Sequence, residues 1–423
     1  MTTAHYGPRT RPAQFREDRL TYLPRMPSTL AVRLTAQGER HVRARHPWVY
    51  SDSIERVKGE GAAGDLAIVF DRKRDRVLGV GLYDPDSPIQ IKMLHAGGGA
   101  RIDSGFWRKL IDDAYARRAP LRDTDTDSYR LLHGENDGTP GLVADVYASV
   151  LVVKVYSLIW VPYLRDVYDL LIECTGATAT VLRLSRLVQQ HPARPENWHD
   201  GTIINGYLEE PVVLFREHGV RLGADVVSGH KTGFFLDHRE NRRLVGERAR
   251  GKRVLDVFSY AGGFSVHALV GGATEVTAVD ISKQALSVAQ RNAELNHPHP
   301  ALRTIAGDAF AVMERLRRDG DSFGLVVVDP PSFAKRADEV PGAMRAYERL
   351  TRLAIPLVER GGTLLLASCS ARVRADDFYA LQLGILRTSG RSYDELQRVG
   401  HGIDHPVGFP EGAYLKALWV RLH

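Results

Sequence analysis

Five apolar runs in the C-terminal half of the chain each stop at a polar residue. "RVLDVFSY" delivers Asp256, "EVTAVDIS" Asp280, "RTIAGDAF" Asp308 and "FGLVVVDPP" Asp329, while "GGTLLLASCS" ends with Cys369 between Ser368 and Ser370. A thiol at the polar end of a buried strand, next to a carboxylate, is the pairing that covalent attack on a pyrimidine needs. Carbon 5 of a pyrimidine is a poor nucleophile. A thiolate that adds to carbon 6 turns the ring into an enamine, so that carbon 5 can attack a sulfonium methyl group. A carboxyl group near ring nitrogen 3 steadies the charge that develops, and the base must first leave its stack. The plainer reading stands beside this one. A lone cysteine is often a small packing residue, and a free thiol with a pKa of roughly 8.5 is only slightly ionised at neutral pH.

The carboxylates ask for a ligand of their own. Ligands of an open parallel sheet bind outside the carboxyl ends of its strands. The first strand leads into "FSYAGGFS", where Gly262 and Gly263 give the backbone room to approach a ligand. Asp280 can accept from both hydroxyls of a ribose, and Asp308 from an adenine amino group. The loop is not the G-x-G-x-x-G of dinucleotide binders, and there is no Walker lysine motif. An adenosyl ligand without phosphates fits, and S-adenosylmethionine (SAM) is such a ligand. Taken singly, each aspartate could equally be a helix cap or a turn former.

These strand ends need a scaffold. From residue 229 onward, Val- and Leu-rich runs alternate with helical stretches such as "SKQALSVAQRNAELN", which predicts a parallel sheet wrapped by helices. "SYDELQRVG" and "AYLKALWVRLH" follow without a full helix between them, as an antiparallel pair at the edge. Residues 101–228 mix strands with helices, starting at "DSGFWRKLIDDAYARRAPL" with Asp103 or Ser104 as cap, and predict an α+β central domain. Cys174 falls at the end of an amphipathic helix and reads as a buried packing residue. Residues 30–98 alternate in short β-like runs and predict a small all-β module, after a loose polar extension over 1–29.

Composition narrows the class. The 423 residues are 43% hydrophobic and 26% charged, an ordinary globular balance. Two cysteines cannot build a disulfide framework or a zinc site, and they fit a reducing compartment. The first twenty residues lack an apolar signal core, and the longest apolar stretch is broken by Ser149, Lys154, Ser157 and Pro162. The cytoplasm is the expected location, with no membrane partner. The net charge of +6 is concentrated toward the two ends of the chain, which suits a polyanion partner. "HRENRRLVGERARGKR" could grip phosphates or form a solvated helix face. Trp48 and Tyr50 could stack on bases or fill a core. "HGENDG" (His133, Glu135, Asp137) hints at a metal, but three short polar residues before Gly-Thr-Pro-Gly are better explained as a turn, and no metal is expected.

Several long blocks resemble one known family. "ERHVRARHPWVYSDSI", "LLHGENDGTPGLVADVY", "GHKTGFFLDHRENRRLV", "VLDVFSYAGGFSVHAL", "AVDISKQALSVAQRNAELN", "VVVDPPSFAK", "LLLASCS" and "DHPVGFPEGAYLKAL" are similar to segments of the ribosomal RNA large-subunit methyltransferase I group. That group methylates a cytosine of 23S rRNA at carbon 5. The resemblance implies an α/β, Rossmann-like class I methyltransferase domain over 229–423. It also implies a β-barrel PUA-like RNA-binding domain over 30–98 and an α+β central domain over 101–228. It further implies a pocket for SAM lined by Asp256, Phe258, Tyr260, Gly262, Asp280, Ile281, Asp308, Ala309, Asp329 and Pro330, with Phe234, Asp237 and Arg239 closing it. Cys369 would be the nucleophile and Asp329 the group facing the cytosine. The partner would be 23S rRNA or a pre-ribosomal particle, and a homodimer through the closing strands is one option. Two other readings stay open: a guanine-nitrogen methyltransferase, which needs no cysteine, and a non-catalytic RNA-binding assembly factor.

Overall fold

The computed structural model describes residues 25–423; the extension expected over 1–29 falls mostly outside them. The chain divides into two compact units. The first holds residues up to 120, 127–213 and 224–234; the second holds 121–126, 214–223 and 235–423.

Two sheets make up the first unit. The N-terminal one has six strands, in the order Trp48–Tyr50, Ile89–Ala96, Val77–Tyr83, Leu66–Phe70, Thr29–Leu34 and Ile54–Lys58. It is not all β, because Ala36–Arg43 forms a helix. The Thr35 hydroxyl caps this helix by accepting from the Gly38 N–H at 3.2 Å, and Glu39 pairs with Arg43 one turn on. Only Gly38 and Val42 are buried in it, so it has no apolar stripe to betray a helical period. The second sheet runs Thr202–Asn205, Ala179–Leu184, Val150–Val155, Leu142–Tyr147 and Ser128–His133. Asp84 joins the two sheets, accepting from Lys92 Nζ at 2.5 Å and Ser157 Oγ at 2.6 Å. Trp48 Nε1 donates to Glu135 at 3.0 Å, so this ring has a structural partner. "HGENDG" forms a short 3-10 turn whose Asp137 is taken up by Arg118 and by the His133 N–H.

Residues 214–223 of the second unit make up most of a two-stranded sheet, Val212–Glu217 beside Val220–Asp225, and the main sheet of that unit has seven strands. Its strands in chain order are β1 Arg253–Val257, β2 Glu275–Asp280, β3 Leu302–Ala306, β4 Phe323–Val328, β5 Val358–Ser368, β6 Tyr393–Val399 and β7 Lys416–Leu422. They lie side by side as β3-β2-β1-β4-β5-β7-β6. The first five pair in parallel; β7 runs antiparallel to both β5 and β6, as the closing pair was expected to do. Six helices accompany the sheet: α1 Arg239–Arg248, α2 Gly263–Val270, α3 Lys283–Glu294, α4 Ala309–Arg318, α5 Val340–Ala354 and α6 Ala375–Arg387. All six residues of β4 are buried, and separate apolar clusters fill the two faces of the sheet, which is why the central runs do not alternate. The chain reverses its direction of travel across the sheet between β1 and β4, the position at which such sheets open a crevice.

Candidate active site

The loop after β1 is held under strain. Phe258 and Tyr260 both take left-handed backbone angles, with φ of 67° and 47°, unusual for aromatic residues and costing on the order of 1–3 kcal/mol each. Gly262 follows at φ 76°, and a Cβ there would come within 2.6 Å of Ala289 Cβ. Only glycine fits. The loop is pinned from β2, where Asp280 accepts from the Tyr260 N–H at 2.9 Å and the Ser282 N–H at 2.8 Å. Ile281 beyond it is 78% exposed. Asp308 caps α4 by accepting from the Ala311 N–H at 3.0 Å, and the adjacent Ala309 is buried in the first turn.

Asp256 is fully buried. One carboxylate oxygen accepts from the Ser265 N–H at 3.0 Å and its hydroxyl at 2.6 Å; the other, Oδ1, is buried with no hydrogen-bond partner among the described residues. Burial, helped by the like charges of Asp329 and Asp280, pushes its pKa up to about 7 against the pull of Ser265. Three carboxyl groups thus crowd one strand edge, a place that favours a cation.

Asp329 ends β4 and meets a residue that the sequence reading passed over. His238 Nε2 lies 3.2 Å from Asp329 Oδ1, a bent contact rather than a linear hydrogen bond, of the kind that substrate can tighten. Burial draws the imidazole pKa down, but the neighbouring Asp329, with Asp237, more than offsets this and leaves it above the usual value. Asp237 accepts from Tyr414 Oη at 2.9 Å, and Phe235 packs edge-on against Tyr260, ring centres 5.2 Å apart. Phe234 belongs to the first unit, where its backbone N–H and carbonyl both bond the Tyr147 hydroxyl.

The serines that flank Cys369 explain each other. Both are fully buried, and Tyr347 Oη on α5 bridges them, 2.9 Å from Ser368 Oγ and 3.0 Å from Ser370 Oγ. Ser332, just past the Asp-Pro-Pro, adds a contact to Ser370 Oγ at 3.0 Å. Lys416 is paired with Ser368 across β5 and β7, and its Nζ donates to the carbonyls of Ser370 at 2.5 Å and Tyr414 at 2.9 Å. With both serines turned inward, the residue between them is presented at the rim. Cys369 is half-buried, its Sγ 3.8 Å from the Pro330 carbonyl. Burial lowers the pKa of Lys416 to about 8, with the nearby Cys369 pulling the other way. Tyr347, Lys416 and His238 all escaped the sequence reading. The one signal for Lys416 was a lysine heading the apolar run Ala417–Val420.

The basic stretch was read in part as a phosphate grip, and here the structure corrects it. Arg242 forms a two-pronged pair with buried Glu217, at 2.6 and 2.7 Å, and Arg239 pairs with buried Asp404 at 2.9 Å. Arg239 is buried with them, so its guanidinium is committed to Asp404 and Glu217 and not to an open pocket. Cys174 also differs from expectation, being half-buried at its helix end with Sγ 3.4 Å from the Leu171 carbonyl.

Comparison with known proteins narrows the class. A family profile described as S-adenosylmethionine-dependent methyltransferase matches residues 129–421, and one described as a PUA-like domain matches residues 32–96. The chain is 44% identical over 399 residues to a ribosomal RNA large subunit methyltransferase of Deinococcus radiodurans, covering 93% of this chain and 97% of that protein. It is 34% identical over 393 residues to a ribosomal RNA large subunit methyltransferase I of an Enterobacter species, covering 92% and 98%. The chain belongs to the ribosomal RNA large subunit methyltransferase I family. The fold is shared with a structure described as a SAM-dependent methyltransferase from Streptococcus mutans, at a TM-score of 0.77 and 19% identity over 92% of this chain and 99% of that one. It is also shared with a methyltransferase solved in complex with SAH, at a TM-score of 0.78 and 20% identity. Family membership makes SAM the cofactor. The site fits it: a glycine where any side chain would collide, an unpaired buried carboxylate oxygen, and clustered acidic groups suited to a sulfonium. Among the described residues no helix is long and apolar enough to cross a membrane.

Proposed function

We propose that this chain methylates carbon 5 of a cytosine in the large-subunit ribosomal RNA, through a transient bond between Cys369 and carbon 6 of the base. The observation that carries the reading is the presentation of Cys369. Inward-turned serines, Tyr347 and Lys416 fix the backbone on both sides of a thiol that lies against the Asp329-Pro330 strand end. SAM supplies the methyl group. Asp256, Phe258, Tyr260, Gly262, Asp280, Ile281, Asp308, Ala309 and Pro330 are the residues proposed to hold it; Phe234 and Asp237 complete the set implied by the resemblance. Arg239 acts behind them through Asp404.

The steps balance within the site. The Cys369 thiolate bonds to carbon 6, and the electron pair of the ring double bond moves to carbon 5 while Asp329 steadies the charge at nitrogen 3. Carbon 5 would take the methyl group from SAM, whose sulfur would keep the electron pair of the broken bond and leave as the neutral thioether SAH. A base removes the carbon 5 proton, the double bond re-forms, and the thiolate leaves. The large-subunit substrate rests on what the relatives are named for. No homodimer is part of the proposal.

The test is incubation with SAM and unmodified 23S rRNA or precursor particles, followed by mapping of 5-methylcytosine by bisulfite sequencing. Cys369→Ala should abolish the product, and RNA containing 5-fluorocytosine should trap the wild-type enzyme covalently. Full methylation by Cys369→Ala would instead point to chemistry on a base nitrogen.

A further inference from the structure

Behind Asp329 runs a chain of buried polar groups that the reaction above does not use. It starts at Trp419 on β7, fully buried, whose indole Nε1 can donate but has nothing to accept with. Nε1 donates to Asn241 Oδ1 at 3.0 Å. That contact decides which way the Asn241 amide faces, a choice that must be made from its hydrogen-bond partners. With Oδ1 toward the indole, Nδ2 faces His238 Nδ1 at 3.2 Å. An amide nitrogen only donates, so Nδ1 must accept, and the proton of the neutral ring sits on Nε2. Nε2 is the atom 3.2 Å from Asp329 Oδ1.

The geometry points to His238 as a positioning residue, locked by Trp419 through Asn241 in the Nε2–H tautomer, that holds Asp329 in one orientation toward the base. This rests on the role proposed for Asp329. The indole acts at one end and the carboxylate at the other, with each donor and acceptor role fixed by the one before it. A second proton on His238 would need an acceptor at Nδ1. Asn241 could offer one only by turning over, which would bring two donors face to face at Trp419. Protonation therefore breaks the chain at Asn241: Nε2–H still faces Asp329, but as pH falls through the pKa of His238 the ring that holds the carboxylate is no longer fixed from behind. The charged and titratable groups around the ring are Asp329 at the end of β4, Asp237 on its own turn, Arg242 on α1 and His401 in the loop before β7.

Two measurements on the full-length protein test this. In histidine labelled with nitrogen-15, with the His238 signals assigned by their loss in His238→Gln, long-range nitrogen–proton correlations at mildly alkaline pH report the tautomer. Wild type should show an unprotonated Nδ1 and a protonated Nε2; Trp419→Phe should show a mixed ring and a higher pKa. If Trp419→Phe does not fold, Asn241→Leu carries the same comparison. An Nδ1–H tautomer in wild type, or identical spectra in wild type and variant, overturns the lock. In methyl transfer, His238→Gln can still donate one N–H and should stay near wild type, whereas His238→Leu should lose on the order of 10–100-fold in kcat with KM little changed. Equal activity of the Leu and Gln variants overturns the positioning role. If wild type itself leaves cytosine unmethylated, the proposed function fails, and the spectra still decide the tautomer.

Discussion

The two cysteines of this chain share almost everything that is usually asked of a reactive thiol, yet their surroundings differ in kind. Both are half-buried and both lie near a backbone carbonyl, Cys174 near Leu171 and Cys369 near Pro330. Cys174 ends a helix that stops without tension at Gly176 in a left-handed cap, and its sulfur contact is one turn back on that same helix. Cys369 is set by groups from α5, β7 and the loop after β4, up to 46 residues away. In the same unit Asp256 is buried and out of its ordinary pKa range, and Phe258 and Tyr260 sit in strained backbone. Exposure alone does not separate the two sulfurs; the cost of arranging what surrounds them does.

The sharpest way to break the comparison is to remove each sulfur in turn. Cys369→Ala should lower methyl transfer by ~10³-fold or more, as for other covalent nucleophiles, measured with labelled SAM on unmodified rRNA. An equal loss in Cys174→Ala would erase the distinction.

Asp256→Asn tests whether the catalytic unit carries a folding cost. The folded pKa of about 7 exceeds the unfolded value, so the folded state binds the extra proton. That contribution is fully present below the ordinary aspartate pKa and is lost as pH rises toward 7. Asparagine keeps an acceptor for Ser265 and cannot ionise. The variant should therefore gain stability relative to wild type as pH rises from about 4 to 8, by at most roughly 4 kcal/mol, given ~1.4 kcal/mol per pKa unit. Denaturant unfolding at the two pH values checks this.

Lys416→Met removes the cation beside Cys369. The thiol pKa should rise, and alkylation by iodoacetamide at neutral pH should slow by up to about tenfold, one pKa unit. Cys174 alkylation, followed by mass spectrometry in the same sample, should not change. Tyr347→Phe leaves two buried seryl hydroxyls without their bridge and should cost about 1–3 kcal/mol of stability. Cys174→Ala, the smallest effect, should leave activity unchanged.

The strand ends were legible because a parallel sheet buried on both faces writes itself as unbroken apolar runs, and the first polar residue after each run marks the rim. Asp256, Asp280, Asp329 and Cys369 emerged that way, as did the antiparallel edge pair. The Ala36–Arg43 helix did not, since only two of its residues are buried. Neither did Ser128–His133, a strand that received no assignment of its own because its last residue opens the "HGENDG" turn. Charge counting misjudged α1, because Arg239 and Arg242 have acidic partners far along the chain, Asp404 and Glu217. The groups that set the active-site side chains, His238, Tyr347 and Lys416, meet them only through the folded sheet, and no local spacing announces such meetings.

The antiparallel pairing of β5 with β7 places a limit on how the gene can change length. Side chains alternate sides along a strand, so inserting or deleting one residue within 416–422 would swing the ammonium group opposite Ser368 to the far face of the sheet. The stretch 406–413, between the paired groups Asp404 and Tyr414, contains only a single short turn of helix and can absorb such a change. Length differences among relatives should therefore gather before Lys416 and be absent from the seven residues that begin with it.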